Sequence, residues 1–242
     1  LIVDVNGYVP NRGDVKPVTP HRLLDSRPIG IRSAGSVTAV QVAGSGGVPV
    51  AAQAAMLNVT VSEAQAPGYA TVFPCDQGMP TASNLNYASG QTIPNAVFAK
   101  LDGSGRVCIF TLASAQLIVD VNGYVPNGSR ATPSTPFRIF DSRAGGFLGA
   151  GSVTAVQVAG VAATPSGAKT AMLNVTVSEA QAPGYATVFP CDQGMPTASN
   201  LNYASGQTIP NAVFAKLDGL GRVCIFTLAP AQLIVDVNGF VP

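Results

Sequence analysis

The sequence predicts an all-β protein made of two tandem β-sandwich or jelly-roll-like modules, each with one disulfide. Three observations predict it. Shifted by 116 positions, the chain matches itself without a gap, so that Leu1 meets Leu117 and Leu233, Cys75 meets Cys191, and Cys108 meets Cys224. Short runs of β-branched and aromatic residues recur at regular spacing between turn residues. The four cysteines fall as one pair per repeat at the same separation.

In the first copy the runs are SVTAVQVAG from Ser36, AMLNVTVSE from Ala55, GYATVFPC from Gly68, ASNLNYAS from Ala82, NAVFAKL from Asn95, RVCIFTL from Arg106 and AQLIVDVNGYV from Ala115. Seven strands per repeat fill two sheets. Ala66-Pro67-Gly68 and Gly78-Met79-Pro80 punctuate them, and Asp102-Gly103-Ser104-Gly105 reads as a hairpin leading into the strand of Cys108. No stretch has the period of an amphipathic helix.

Residues 55–126 and 171–242 differ only at Ser104/Leu220, Ser114/Pro230 and Tyr124/Phe240, whereas residues 11–34 and 45–54 diverge from their counterparts. The variable stretches NRGDVKPVTPH and SGGVPVAAQA read as a linker and a surface loop. LIVDVNGYVP occurs at 1–10, at 117–126 and, with Phe for Tyr, at 233–242, one occurrence more than two repeats need. The expected organisation is therefore a surplus strand at 1–10, a β module at 11–126 and a second at 127–242. Residues 1–10 are expected to pair with a neighbouring module or chain by β-augmentation.

Only 10% of residues are charged and the formal net charge is +1, which gives no electrostatic footprint for nucleic acid or an anionic membrane. No apolar run reaches the roughly 18–20 residues of a membrane-spanning helix. The N-terminal residues lack the basic start and small-residue cleavage site of a secretion signal. Cys75 with Cys108, and Cys191 with Cys224, read as intra-repeat disulfides, which persist in oxidising compartments and favour an extracellular location. Zinc would need clustered Cys and His, and the single histidine, His21, is Phe137 in the other copy.

The ordered series RLLDSR (Arg22–Arg27), LNVTVSEAQAPGYATVFPC (Leu57–Cys75), ASNLNYASGQTIPNAVFAKL (Ala82–Leu101), VCIFT (Val107–Thr111) and LIVDVNGYVP (Leu117–Pro126) resembles the repeat module of secreted actinobacterial-type proteins. The second copy departs at RIFDSR, which keeps Arg138, Asp141 and Arg143. The resemblance implies export and an accessory or structural role. It carries over no catalytic residues.

For a Ser-His-Asp or Cys-His set the base would be His21, which exists in one repeat only and within a variable linker, and Asp25, Glu63, Asp76, Asp102 and Asp120 form no cluster in sequence, so no enzyme is expected. Arg22, Asp25, Arg27 and Asp120, with Arg138, Asp141, Arg143 and Asp236, read as a structural polar network in which an Arg fork satisfies a mid-strand Asp. The rival is a calcium site at Asp120 and Asn122, for which most acidic ligands are missing, and no cofactor or metal is expected. The best ligand-binding candidates are Asn84, Asn86, Tyr87, Gln91 and Asn95, with Tyr69 nearby, and their equivalents Asn200, Asn202, Tyr203, Gln207 and Asn211. Amides beside an aromatic ring suit a neutral sugar, provided that the run forms an open groove with Tyr87 exposed. The expected function is an extracellular structural repeat, a fibre or surface-layer block assembling with itself head to tail. The alternatives are a carbohydrate-binding or adhesive module that engages cell-surface or extracellular polysaccharide, and a spacer on a secreted enzyme.

Overall fold

The computed structural model describes Val3, Val5, Tyr8 and residues 13–242, so the expected pairing of residues 1–10 lies outside the described residues. The first module holds β1 (Lys16–Asp25), β2 (Ser36–Gln41), β3 (Ala52–Ser62), β4 (Gly68–Pro74), β5 (Leu85–Tyr87), β6 (Ile93–Lys100), β7 (Arg106–Thr111) and β8 (Gln116–Pro126). The second repeats them as β9 (Thr132–Asp141), β10 (Ser152–Gln157), β11 (Thr170–Ser178), β12 (Gly184–Pro190), β13 (Leu201–Tyr203), β14 (Ile209–Lys216), β15 (Arg222–Thr227) and β16 (Gln232–Val241). Each module is a sandwich of two four-stranded antiparallel sheets, ordered β1-β8-β3-β6 and β2-β7-β4-β5 in the first. The second has the matching orders, β9-β16-β11-β14 and β10-β15-β12-β13. That strand order is a jelly roll.

The alternation in the sequence makes the core. Leu57, Val59 and Val61 of β3 and Leu117, Val119 and Val121 of β8 point inward and meet Val72, Leu85, Val107 and Ile109 of the other sheet. Each such side chain contributes roughly 1.5–3 kcal/mol by leaving water. The second module repeats the arrangement with Leu173, Val175, Leu233, Val235 and Ile225.

One strand per module escaped the sequence reading. The expected linker, residues 11–21, runs into β1, which pairs with β8 at the edge of its sheet. Its prolines, Pro17 and Pro20, look like loop punctuation, but an edge strand tolerates proline because its outer side has no ladder to lose. The Asp102–Gly105 turn also differs from expectation. It crosses between the sheets and closes no hairpin, since β6 pairs with β3 whereas β7 pairs with β2 and β4. The Asp102 carboxylate holds the turn by accepting from the Ser104 and Arg106 amides, both at 2.8 Å. Gly105 has φ +76°, and a Cβ there would lie 2.4 Å from that of Ala43.

The segment LIVDVNGYVP is internal to each module. β8 lies between β1 and β3, and β16 between β9 and β11, so the copies at 117–126 and 233–242 each close the module that precedes them in sequence. Its Asn-Gly makes a bulge and not a turn: Gly123 pairs with Met56 and Val121 with Leu57, which leaves Asn122 as an extra residue. The bulge brings Tyr124 onto the core. Gly123 also lets β1 approach, because a Cβ there would sit 2.9 Å from the Lys16 carbonyl oxygen.

The chain divides into two compact units between Pro136 and Phe137. The short connector after β8 stays with the first unit. Asp14 accepts from the Arg130 amide at 2.9 Å and from its guanidinium, its carbonyl accepts from Ser129 Oγ at 2.9 Å, and Gln53 donates to the Ala131 carbonyl at 3.1 Å.

The disulfides Cys75–Cys108 and Cys191–Cys224 each staple neighbouring strands of one sheet, with Cα atoms 4.9 Å apart. Replacing Cys75 and Cys108 by alanine should destabilise the first module by about 3–4 kcal/mol, since each bond closes a loop across 33 positions. Guanidinium unfolding would show one of two transitions moving to lower denaturant, and an unchanged midpoint would refute the estimate.

Candidate functional site

Two clusters of polar side chains carry the residues singled out in the sequence. The first lies where β1 meets β8. Arg22 Nε and NH2 donate to the two carboxylate oxygens of Asp120 in the facing strand, and NH1 donates to Asp25 at 3.0 Å. Arg27 returns on Asp25 through its amide at 3.1 Å and through Nε and NH2 at 2.9 and 2.6 Å. Arg138, Asp141, Arg143 and Asp236 repeat the pattern. Fork-shaped guanidinium donors and two-oxygen acceptors match in number and plane. Arg22, the candidate calcium residue Asp120, Asp25 and Arg27 are thus engaged with one another.

Ser26, which the sequence reading passed over, completes this join. It is fully buried, its Oγ accepts the Leu117 amide at 2.8 Å and donates to Gln116 Oε1 at 2.6 Å, and its own amide donates to the Leu117 carbonyl. The small polar residue between Asp and Arg in RLLDSR therefore ties the end of β1 to the start of β8, as Ser142 does with Leu233.

Arg27 and Arg143 hold the carboxyls of Asp25 and Asp141 down. Asp25 lies well below the usual carboxylate range, chiefly through the side-chain bonds from Arg27. Asp141 is lowered to about 2, chiefly by Arg143 and against a burial effect. Asp236 goes the other way: its side chain is 1% exposed, and burial pushes it up despite the Arg138 fork.

The second cluster is the amide run, and here the structure corrects the expected binding groove. Asn84 is buried, its Oδ1 accepting the Val72 amide at 2.7 Å, and its carbonyl accepts Asn95 Nδ2, also buried, at 2.7 Å. Tyr87 is only 5% exposed, and its hydroxyl donates to the Tyr69 carbonyl and accepts the Ala113 amide. Gln91 Oε1 accepts the Ala88 amide within a turn, and Asn86 bonds Ser83. In the second module Asn200 likewise accepts the Val188 amide, Asn211 donates to the Asn200 carbonyl, Tyr203 to the Tyr185 carbonyl, Gln207 accepts the Ala204 amide and Asn202 bonds Ser199. These amides, buried at Asn84 and Asn95 and half-buried at Asn200 and Asn211, satisfy the irregular backbone around the three-residue strands β5 and β13. The open groove lined by Tyr87 is not formed.

What faces outward from the sheet of β2, β7, β4 and β5 is chiefly apolar. Tyr69 and Phe110 lie with ring centroids 5.7 Å apart and planes tilted by 42°, flanked by exposed Val37 and Leu112. Tyr185, Phe226, Val153 and Leu228 repeat the patch. His21 stands on β1 and lines, with Arg22, Ala39 and Val40, a cleft of about 250 Å³ beside β2.

No protein-family model matches this sequence, and no curated protein does. Solved structures similar to it include the PBSX exported protein XepA, at 12% identity and a TM-score of 0.29 over 99% of this chain and 100% of that one. The tandem CBM22 domains of Paenibacillus barcinonensis Xyn10C match at 10% identity and 0.25 over 96% and 99%. The plant receptor-like kinase ANX2 matches at 10% identity and 0.30 over 88% and 82%. Likenesses this distant carry no argument about function.

The direction of the Asp141 shift fixes its pH effect. Its folded value of about 2 lies below the ordinary 3.8, so the stabilisation is complete above the ordinary value and is lost as pH falls through 2. Asp141→Asn should therefore cost about 1–2 kcal/mol at neutral pH and flatten the acid limb of the second module's stability curve between those values. Thermal melts over pH 2–7 would reveal it; an unaltered acid limb would show that the carboxylate contributes nothing.

Proposed function

We propose that this chain is a structural tandem repeat of an extracellular protein, a building block of a fibre, stalk or surface layer, and performs no catalysis. One observation carries the reading: the polar residues shared by both copies are used to hold the fold. The arginines, aspartates and Ser26 stitch β1 to β8, and the amides cap the backbone around β5.

Further support comes from the way the modules are built. Each has its own core and its own disulfide, and a chain with all cysteines bridged suits an oxidising compartment. The connector is short and pinned to Asp14. No helix of the described residues is long and apolar enough to cross a membrane. Growth by exchange of the LIVDVNGYVP strand needs an acceptor whose slot between its first and third strands is empty. In both described modules β8 and β16 fill it.

A second reading, a carbohydrate-binding module for extracellular polysaccharide, is favoured by the outward Tyr69–Phe110 pair with Asn86 on the neighbouring strand. One experiment separates the two. Depletion by insoluble cellulose, xylan, chitin and peptidoglycan should leave the intact chain in solution. Saturable binding that is lost in Tyr69→Ala with Tyr185→Ala would overturn the structural reading in favour of the glycan platform.

A further inference from the structure

Among the described residues each module has four edge strands, and three are protected against pairing with another chain. β1 carries Pro17, Pro20 and the charged Arg22, β6 carries Pro94 and ends on Lys100, and β5 is only three residues long. Proline, charge and shortness are the devices by which proteins keep sheet edges from extending. The second module repeats them, with Pro133, Pro136 and Arg138 in β9, Pro210 and Lys216 in β14, and three residues in β13.

The fourth edge has none of these. β2 reads Ser-Val-Thr-Ala-Val-Gln, six residues without proline, glycine or charge, bonded on one side to β7 alone. β10 has the same six residues and is bonded to β15. On an antiparallel edge every second residue directs its N–H and C=O away from the sheet. The outer face of this edge is uncharged: Val37 is 53% exposed, Ala39 is exposed beside it and the strand ends on exposed Gln41, and the cleft of about 250 Å³ opens between β2 and β1.

We infer that β2 and β10 are the self-association edges of this protein, each pairing antiparallel with the same strand of a second copy to continue two sheets into one. The occupant is a second copy because the strand is its own complement. About a two-fold axis, small uncharged side chains meet small uncharged side chains, and no like charges face each other. A net charge of +1 over the chain opposes the approach very little. Pairing would also join the Val37–Phe110–Tyr69 patches of the two copies along one sheet face. Two such edges per chain make the contact repeatable, which is what a lateral array requires. The inference rests on the structural reading above and names its contact.

The test is sedimentation equilibrium of the full chain from low to high micromolar concentration, against Ala39→Lys with Ala155→Lys. Both alanines are exposed, so the variant leaves the core intact, and Val37→Lys with Val153→Lys supplies a second guard of the same kind. The wild type should rise in mass with concentration, and each double variant should weaken association at least about tenfold while melting at the wild-type temperature. Hydrogen exchange should show protection of residues 36–41 and 152–157 that grows with concentration. A wild type that stays monomeric, or association untouched by either pair of lysines, overturns the inference. Neither result touches the structural reading, which falls only to the polysaccharide depletion above.

Discussion

The module depends on one long-range closure, the insertion of β8 between β1 and β3. β1 opens the repeat and β8 ends it, and the Arg22–Asp120 fork joins residues 98 positions apart. Without that pairing β1 has no neighbour, since β8 is its one partner in the sheet. Closing so long a loop costs entropy that only contacts formed at the end of folding repay. The join accordingly concentrates strong interactions: the guanidinium fork, the buried Ser26 bridging to Leu117, and Gly123 allowing the β1 backbone to come close. The disulfide acts elsewhere, on the β4–β7 side of the other sheet. Staple and fork thus secure opposite layers of one sandwich.

The same closure explains why the residues most suggestive of chemistry have little to spare for a ligand. A carboxylate in the middle of an apolar strand needs its charge answered, and Arg22 answers it. Asn84 and Asn95 lie where β5 is too short to satisfy the backbone around it, and their amides substitute for missing ladder bonds. The two copies hold the network at different depths, with the Asp120 side chain 22% exposed and that of Asp236 1%. At the deeper site desolvation outweighs the arginine fork and pushes the Asp236 carboxyl up.

Much of this was legible in the sequence. Period-2 alternation located the core strands, equal spacing of the cysteines located the staples, and the demand of a mid-strand Asp pointed to an Arg fork. What stayed hidden has physical reasons. β1 was lost because Pro17 and Pro20 signal a loop unless the strand is known to lie at an edge. The Asp102 turn differs from a hairpin because turn chemistry reports a reversal of the chain without saying whether the next strand joins the same sheet. The alternation of Leu85 with Tyr87 points to the core, but amides beside an aromatic ring suggest a sugar surface equally well until the backbone they satisfy is known. Tyr87 and Leu85 share the inner face, and Asn86 between them faces outward. Ser26 carried no distinguishing mark at all.

Near-identical neighbours in one chain raise a problem of partner choice, since β8 and β16 are almost interchangeable in sequence. The segments that differ most between the copies include the strands that flank β8 and β16. β1 and β9 are the diverged strands, and each is the neighbour of its module's closing strand. Gly46 packs so tightly under β1 that a Cβ there would lie 2.9 Å from His21 and from Val121. In the second copy that position is Ala162, still at positive φ, 48°, while Phe137 replaces His21. An alanine in that backbone region costs roughly 1–2 kcal/mol, so the second copy keeps the loop conformation at an expense the first avoids. Had β1 evolved as free linker, neither the tight fit of Gly46 nor the strained Ala162 would be expected. Divergence in this segment is therefore divergence of a packed edge, matched to the loop beneath it.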